Sequence, residues 1–460
     1  MVLLYEMNMK DKKQVDLLNG PMLGKIITFA LPLALSSILQ QLFNSADMAV
    51  VGRFASANAM AAVGSNSSVI ALIVCLFTGL SVGANVVIGT LIGQNKKEKI
   101  NESVHTIMTV ALICGVVLIG IGIAVSKPLL TLMGAPEEVF ALAVRYLRIY
   151  FCAMPGIMVY NFGSAILRSK GDSKHPMYML IVSGAVNLLL NLLFVIAFHM
   201  DVVGVGLATV ISNFLAAGVI LWILMHEEED YRLSFRKLTV KKDCVINMVR
   251  IGLPAGLQGV IFAISNVVIQ SAVNSLGAMV VAGATAGANF ESMCYLVLNA
   301  FVQTAITFTA QNFGAGKADR CKKVFRITLS LAMISVMAFS AIFWFGRGFF
   351  LGFFTTDTDV AAYAEKRMMF NTVLYFIAAT YEISGGCLRG MGRSTLPTIL
   401  SIIGTCAFRV VYVQTVFRAN PMMETLFAVY PLSWIVSGTM VMTAYLIVRR
   451  KLFKGMKEMR

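Results

Sequence analysis

Charge is what this chain of 460 residues has least of. Asp, Glu, Lys and Arg make up 13% of it, about half the share of an ordinary soluble domain. Too few polar groups remain to coat a soluble surface. Histidine occurs only 4 times, without metal-ligand spacing. The 8 cysteines (Cys75, Cys114, Cys152, Cys244, Cys294, Cys321, Cys387 and Cys406) form no CxxC pair. Neither a zinc site nor a disulfide framework is indicated, and they read as small core residues. Gly83, Gly89 and Gly93 are followed by no Lys-Ser/Thr, so a phosphate loop is excluded. No Ser/His or paired-His constellation lies in the apolar runs, which argues against a membrane enzyme. The first twenty residues lack a clean apolar leader and read as a cytosolic tail.

What is there is apolar sequence. Hydrophobic residues make up 58% and mean hydropathy is +0.79. A lipid-spanning helix needs roughly 20 mainly apolar residues. Irregular backbone cannot face lipid, so such runs must be helical. Twelve are expected, near 26–50, 60–92, 103–126, 139–165, 177–199, 203–226, 246–272, 279–310, 324–346, 361–387, 396–417 and 424–448. They are called spans 1 to 12 below. The longest charged interruption, His226 to Asp243, divides the chain at its middle. The expected organisation is a tail (1–25), a first lobe (26–226), a cytoplasmic linker (227–245), a second lobe (246–448) and a basic tail (449–460).

Positive charge fixes orientation. Of the 38 Lys and Arg, 29 fall in the two tails and the even-numbered loops, 8 in the odd-numbered loops and span ends, and Arg409 inside a span. Both termini are therefore expected in the cytoplasm, with the loop at Val202 outside and Lys241 inside. The same asymmetry explains the net charge of +15 without nucleic acid.

The chain repeats itself. Leu167-Arg168-Ser169-Lys170-Gly171-Asp172-Ser173-Lys174-His175-Pro176 matches Leu388-Arg389-Gly390-Met391-Gly392-Arg393-Ser394-Thr395-Leu396-Pro397 at an offset of 221. Gly93 pairs with Gly314 at the same offset, and Leu31-Pro32 with Leu253-Pro254 and Asn44 with Asn266 at 222. An even number of spans per half makes this a parallel repeat, as found in transporters with a central site.

These residues also carry a family resemblance. Leu18-Asn19-Gly20-Pro21, Ala30-Leu31-Pro32 and Phe43-Asn44-Ser45-Ala46-Asp47, with Gly52 shortly after, resemble the start of a multidrug and toxic compound extrusion (MATE) protein. Gln311-Asn312-Phe313-Gly314-Ala315-Gly316 and the two Leu-Arg-x-x-Gly-x-Ser-x-x-Pro segments resemble that family too, and the likeness spans roughly residues 16–450. It implies an all-α polytopic membrane protein with two pseudo-symmetric six-helix lobes around a central cleft. It also implies efflux of drugs or organic cations in exchange for H+ or Na+. The expected partners are those small molecules, the ion and membrane lipids, and the expected form is a monomer in the cell membrane. No bound cofactor is expected, the ion gradient being the energy source. The rival readings are a flippase of lipid-linked precursors, which would need a strongly basic cavity, and a non-transporting membrane receptor or enzyme.

Ionisable groups at bilayer depth are expensive and usually face a cavity or the bundle interior. Ser36, Ser37, Gln40, Asn44 and Asp47 share one stripe of span 1. The resemblance ties an acid at Asp47 to cation coupling. Ser183, Asn187 and Asn191 follow at helical spacing in span 5, where many family members place an acid at the last position. Asn191 cannot carry a proton. It can hydrogen-bond Asp47, or join Asp47 and Asn187 around Na+, or merely bind helix to helix. The second lobe has Glu291 and Glu382. The expectation is that Glu382 pairs with Arg409 as counter-ion and that Glu291, unpaired, shares proton coupling with Asp47. Polar and aromatic residues suited to a cleft for a flat cation are Gln40, Asn44, Tyr160, Asn161, Gln258, Asn266, Tyr375 and Tyr381. Packing is the alternative role for the tyrosines.

Overall fold

The computed structural model describes residues 14–54, 56–134 and 136–458. Among these residues the secondary structure is helical throughout. Ten helices are long and apolar enough to cross a membrane, and eleven if the bent pair Glu137–Cys152 and Met154–Lys170, which meet at 44°, is one span. The twelfth segment, span 10, is broken. It runs from Thr358–Arg367 through a π turn at Met368–Thr372 and a 3-10 turn at Tyr375–Ala378 into Ala379–Gly390.

Span 1 is Met22–Phe54, span 2 Ala57–Gly93, span 3 Lys97–Leu132, span 5 Lys174–Leu192 with a π turn to Ala197, and span 6 Asp201–Met225. Span 7 is Lys242–Asn274, span 8 Ala278–Gly314, span 9 Ala318–Phe345 and span 12 Met423–Glu458. Span 11 starts as Thr395–Ser401 and carries two π segments, Ile402–Ala407 and Val413–Phe417. A short helix, Arg347–Leu351, lies between spans 9 and 10 and was not expected.

The repeat has a backbone cause. Gly171 (φ +102°) ends span 4 and Gly392 (φ +76°) ends span 10, both left-handed. In each case a backbone N–H beyond the glycine bonds back into the last turn: Asp172 to Leu167 O at 3.0 Å and Arg393 to Leu388 O at 2.9 Å. This is the helix-stop geometry that only glycine adopts without cost. A second pair obeys the same offset. Asn95 (φ 55°) and Gly316 (φ 68°) turn the chain out of spans 2 and 8. Pro176 and Pro397 then sit in the first turn of the following helices, where the missing N–H is no loss.

Each half buries its own core. One cluster is built from residues between Val50 and Met248. The other runs mainly from Ile251 to Phe453, with Ala30, Val82 and Val86 joining it from the first half. The halves meet near the termini. Span 2 crosses span 7 so closely that a Cβ on Gly79 would lie 2.2 Å from Gly256 N. Asn85 Nδ2 donates to Thr307 Oγ1 at 2.8 Å across the seam.

The segment before span 1 clasps this end. Leu17 is 1% exposed. Its carbonyl accepts from Asn312 Nδ2 at 3.0 Å, Leu18 O from Lys317 Nζ at 3.0 Å and Gly20 O from Arg320 Nη1 at 3.1 Å. Burial works against ionisation of Asp16, but the Leu18 and Asn19 donors and Lys25 outweigh it and hold the carboxyl below its usual range. The inter-lobe linker is also stitched down. His105, in span 3, bonds Asn101 O through Nδ1 at 2.8 Å, and its Nε2 accepts from Ser234 N at 3.0 Å. That pattern requires the neutral ring.

Candidate functional site

Span 1 and span 5 pack ring on glycine. A Cβ on Gly184 would lie 2.1 Å from the Phe43 ring, so the bare backbone is what lets the helices approach. One turn on, Asp47 meets span 5. Asn191 Nδ2 donates to Asp47 Oδ1 at 2.6 Å. With its amide turned so that nitrogen faces Asp47, Asn187 donates to the two carboxylate oxygens at 2.8 and 3.1 Å and accepts from Ser212 Oγ. Asp47 is half-buried and Asn191 fully buried. Asp47 forms no ion pair with a described residue. Asn191 Oδ1 is buried without a hydrogen-bond partner.

Gln40 and Asn44 lie on the same stripe of span 1 and are exposed. Lipid cannot satisfy such groups, and polar residues at bilayer depth usually face a cavity or the bundle interior. The close contacts between halves run from mid-span, at Gly79 and Gly256, to the end carrying the termini, at Gly93 and Gln311.

The second lobe reverses the expected pairing. Glu291 Oε2 accepts from Arg367 Nη2 at 2.9 Å and Asn371 Nδ2 at 3.0 Å. Arg367 Nη1 also donates to Ala284 O at 3.1 Å, and its guanidinium lies 5.3 Å from the Phe427 ring. Glu291 is therefore the paired acid. Arg409 does not pair with Glu382. It donates to Ser433 Oγ at 3.0 Å, reaches Asn266 Oδ1 at 3.5 Å and stacks 4.4 Å from the Tyr430 ring. Span 11 presents Arg409 toward spans 7 and 12, where these partners lie. Glu382 forms no ion pair with a described residue.

The remaining candidates separate. Asn266 is exposed and joined to Arg409. Gln258 is buried, its Oε1 taken by Arg389 Nη2 at 2.7 Å and Thr398 Oγ1 at 3.4 Å. Tyr160 donates to Pro176 O at 3.0 Å and Asn161 to Ile157 O within its own helix at 2.8 Å. Tyr375 is buried edge-on against Trp434, ring centres 5.0 Å apart, and Tyr381 is buried in the same lobe. Sequence reasoning missed Arg367, Asn371 and Ser212. Arg367 was counted as a span end; the signal overlooked was its helical spacing with Asn371, a charge and an amide on one face. Arg389 was read as a loop residue, but it is buried in the last turn of span 10.

Two lobes of membrane helices with ionisable groups at bilayer depth are the architecture of a membrane transporter. The sequence pattern described as MatE matches residues 32–193 and 254–413, one stretch in each half. The chain belongs to this family of multidrug efflux transporters, and it is a multi-pass membrane protein rather than an enzyme. It is 30% identical over 385 residues to the probable multidrug resistance protein YoeA of Bacillus subtilis (strain 168), covering 81% of this chain and 82% of that protein. It is 24% identical over 400 residues to the multidrug export protein MepA of Staphylococcus aureus (strain NCTC 8325 / PS 47), covering 86% and 87%. A solved outward-facing multidrug resistance MATE family transporter of the MOP superfamily superposes with a TM-score of 0.88 at 20% identity, covering 97% of this chain and 99% of that one. At that identity the likeness concerns the fold: twelve helices in two lobes.

Proposed function

We propose that this protein is a secondary-active antiporter that expels organic cations and other amphipathic drugs in exchange for protons, with Asp47 as the exchanging carboxylate. One observation carries this reading. Asp47 is a half-buried acid on the polar stripe of span 1, held by neutral amides and by no cation among the described residues. A carboxylate so placed has three ways to be neutralised: a proton, a metal cation or a cationic cargo. Exclusive choice among them is antiport. Glu291, already neutralised by Arg367, has no such need and is structural in this reading.

Sodium is the second reading. The buried Asn191 Oδ1 lacks a partner, and amide and carboxylate oxygens suit a hard cation. Dye efflux from proteoliposomes under an imposed proton or sodium gradient separates the two. Strict sodium dependence would overturn the proton assignment.

The lobes, taken as residues 26–226 and 246–448, rock about the seam in this mechanism, and the chain works as a monomer in the cell membrane. The face bearing the tails is cytoplasmic on the positive-inside argument. Val202 is fully buried, so the exposed His199 is the better outside probe. His199→Cys should label in sealed cells and Lys241→Cys should not. Labelling of the latter would invert the orientation.

A further inference from the structure

The seam between the lobes contains, at the end carrying the termini, a cavity of about 700 Å³ that the transport reading does not use. Its rim is basic and comes from both halves. Lys96 and Lys99 stand at the junction of spans 2 and 3, Lys241 ends the linker, Arg250 lies on span 7, and Arg393 sits in the turn between spans 10 and 11. The acids facing it are Glu102 and Asp243, and Glu102 is engaged by Lys241 at 3.5 Å. Five bases against two acids leave a positive excess. Its floor is apolar, formed by residues such as Val87, Ile251 and Phe313.

A second cavity of about 410 Å³ shares Arg250, Gly392 and Arg393 with the first. It adds Lys451, Ser394 and Thr395, and it is walled by Leu396, Val448 and Leu452. Leu396 is 37% exposed, so this wall continues onto the outer face of the second lobe. A basic centre thus opens on one side into the seam and on the other onto an apolar surface.

We propose that Arg250 and Arg393 bind the phosphate group of an anionic amphiphile, whose apolar chain leaves along Leu396, Val448 and Leu452. Two forked guanidinium groups suit a phosphate, and an apolar exit suits a chain attached to it. A free phosphate ion shares the headgroup chemistry. The site has a conformational consequence. Lys96 and Lys99 move with one lobe, Arg250 and Arg393 with the other. Without an anion these like charges repel and favour opening of this end. A bound phosphate links them and holds the seam shut.

The test uses the full chain. Native mass spectrometry is to count phosphatidylglycerol retained by the unmodified protein, Arg250→Gln/Arg393→Gln, and Arg450→Gln, an exposed base at the same depth that lines neither cavity. Melting is to be followed in phosphatidylcholine nanodiscs with and without phosphatidylglycerol, and in detergent with inorganic phosphate. The unmodified protein and Arg450→Gln should bind alike and melt higher with the anion. The double variant should bind about tenfold more weakly or worse, because each lost contact is a charge-assisted hydrogen bond. Stabilisation by phosphatidylglycerol alone identifies a lipid as source, and stabilisation by inorganic phosphate identifies the free ion. Equal binding by the double variant, equal loss in Arg450→Gln, or equal stabilisation by phosphatidylcholine alone would overturn the site. If the Gln variant does not fold, Arg250→Lys/Arg393→Lys keeps the charge but loses the fork. It should bind with intermediate strength, and unchanged binding would also refute the proposal.

Discussion

At equivalent places of the repeat, the two lobes exchange polar pairs for aromatic ones. Asn187 and Asn191 in span 5 correspond, at the offset of 221, to Phe408 and Tyr412 in span 11, whose rings lie 6.1 Å apart. Arg367 and Asn371 in span 10 correspond to Tyr146 and Tyr150 in span 4, 6.3 Å apart. Glu291 corresponds to Ile70. At these positions, where one lobe has polar groups the other fills the space with rings. The clusters differ in what they do with charge. In the first lobe an acid is left with neutral partners. In the second Glu291 is closed by an arginine, whereas Glu382 forms no ion pair with a described residue. A buried charge without its opposite must find one elsewhere, which makes Asp47 a better candidate for ion exchange than Glu291, whose charge Arg367 already meets.

The sharpest break of this comparison is Asp47→Asn. It should abolish gradient-driven dye efflux, while the protein still inserts and elutes as folded as the unmodified one. Efflux at the unmodified rate would move coupling out of the first lobe. Next in size is Glu291→Gln, which strands Arg367 against Phe427 and Tyr430. Removing one member of a buried pair costs about 3–5 kcal/mol, so its melting temperature should fall well below that of Asp47→Asn. Glu291→Leu/Arg367→Met should recover much of that loss, since an apolar replacement leaves no stranded charge. Unchanged melting in Glu291→Gln would deny the bracing role.

Gly184→Leu comes third. The added side chain displaces Phe43 and spreads spans 1 and 5, an overpacking cost of about 1–3 kcal/mol. Asp47 should lose its amide donors with it, so coupled efflux should fall before folding does. The smallest effect is expected from His105→Phe. It removes the acceptor of Ser234 N and leaves that donor unsatisfied, at about 1–3 kcal/mol, without touching either polar cluster. Faster hydrogen exchange in residues 230–240 at unchanged efflux is the expected readout.

Much of the architecture was legible in order and spacing. Lipid imposes one rule on backbone, so long apolar runs located the spans. The even division of spans and the offset of 221 located the lobes. The Asp47 and Asn191 contact was also foreseeable, because both belong to polar stripes and the stripes had to face something. The broken helix of span 10 was not legible. π and 3-10 turns arise where packing demands an extra or missing residue, as between Ser340 Oγ and Thr372 O at 2.6 Å, and hydropathy is blind to that.

By itself, then, the sequence determined what is additive along a chain: which segments are apolar, which face of a helix is polar, and where a glycine must stop a helix. The tertiary structure alone decided which charge meets which. Arg367 lies 76 positions from Glu291, and Leu17 and Asn312 are 295 apart, so nothing local announces either contact. Arg409 lies far nearer in sequence to Glu382 than to Asn266, 143 positions away, yet it reaches Asn266. The reason is geometric. A helix fixes the direction of a side chain within its own frame, and only the packing of helices on one another fixes what stands in that direction.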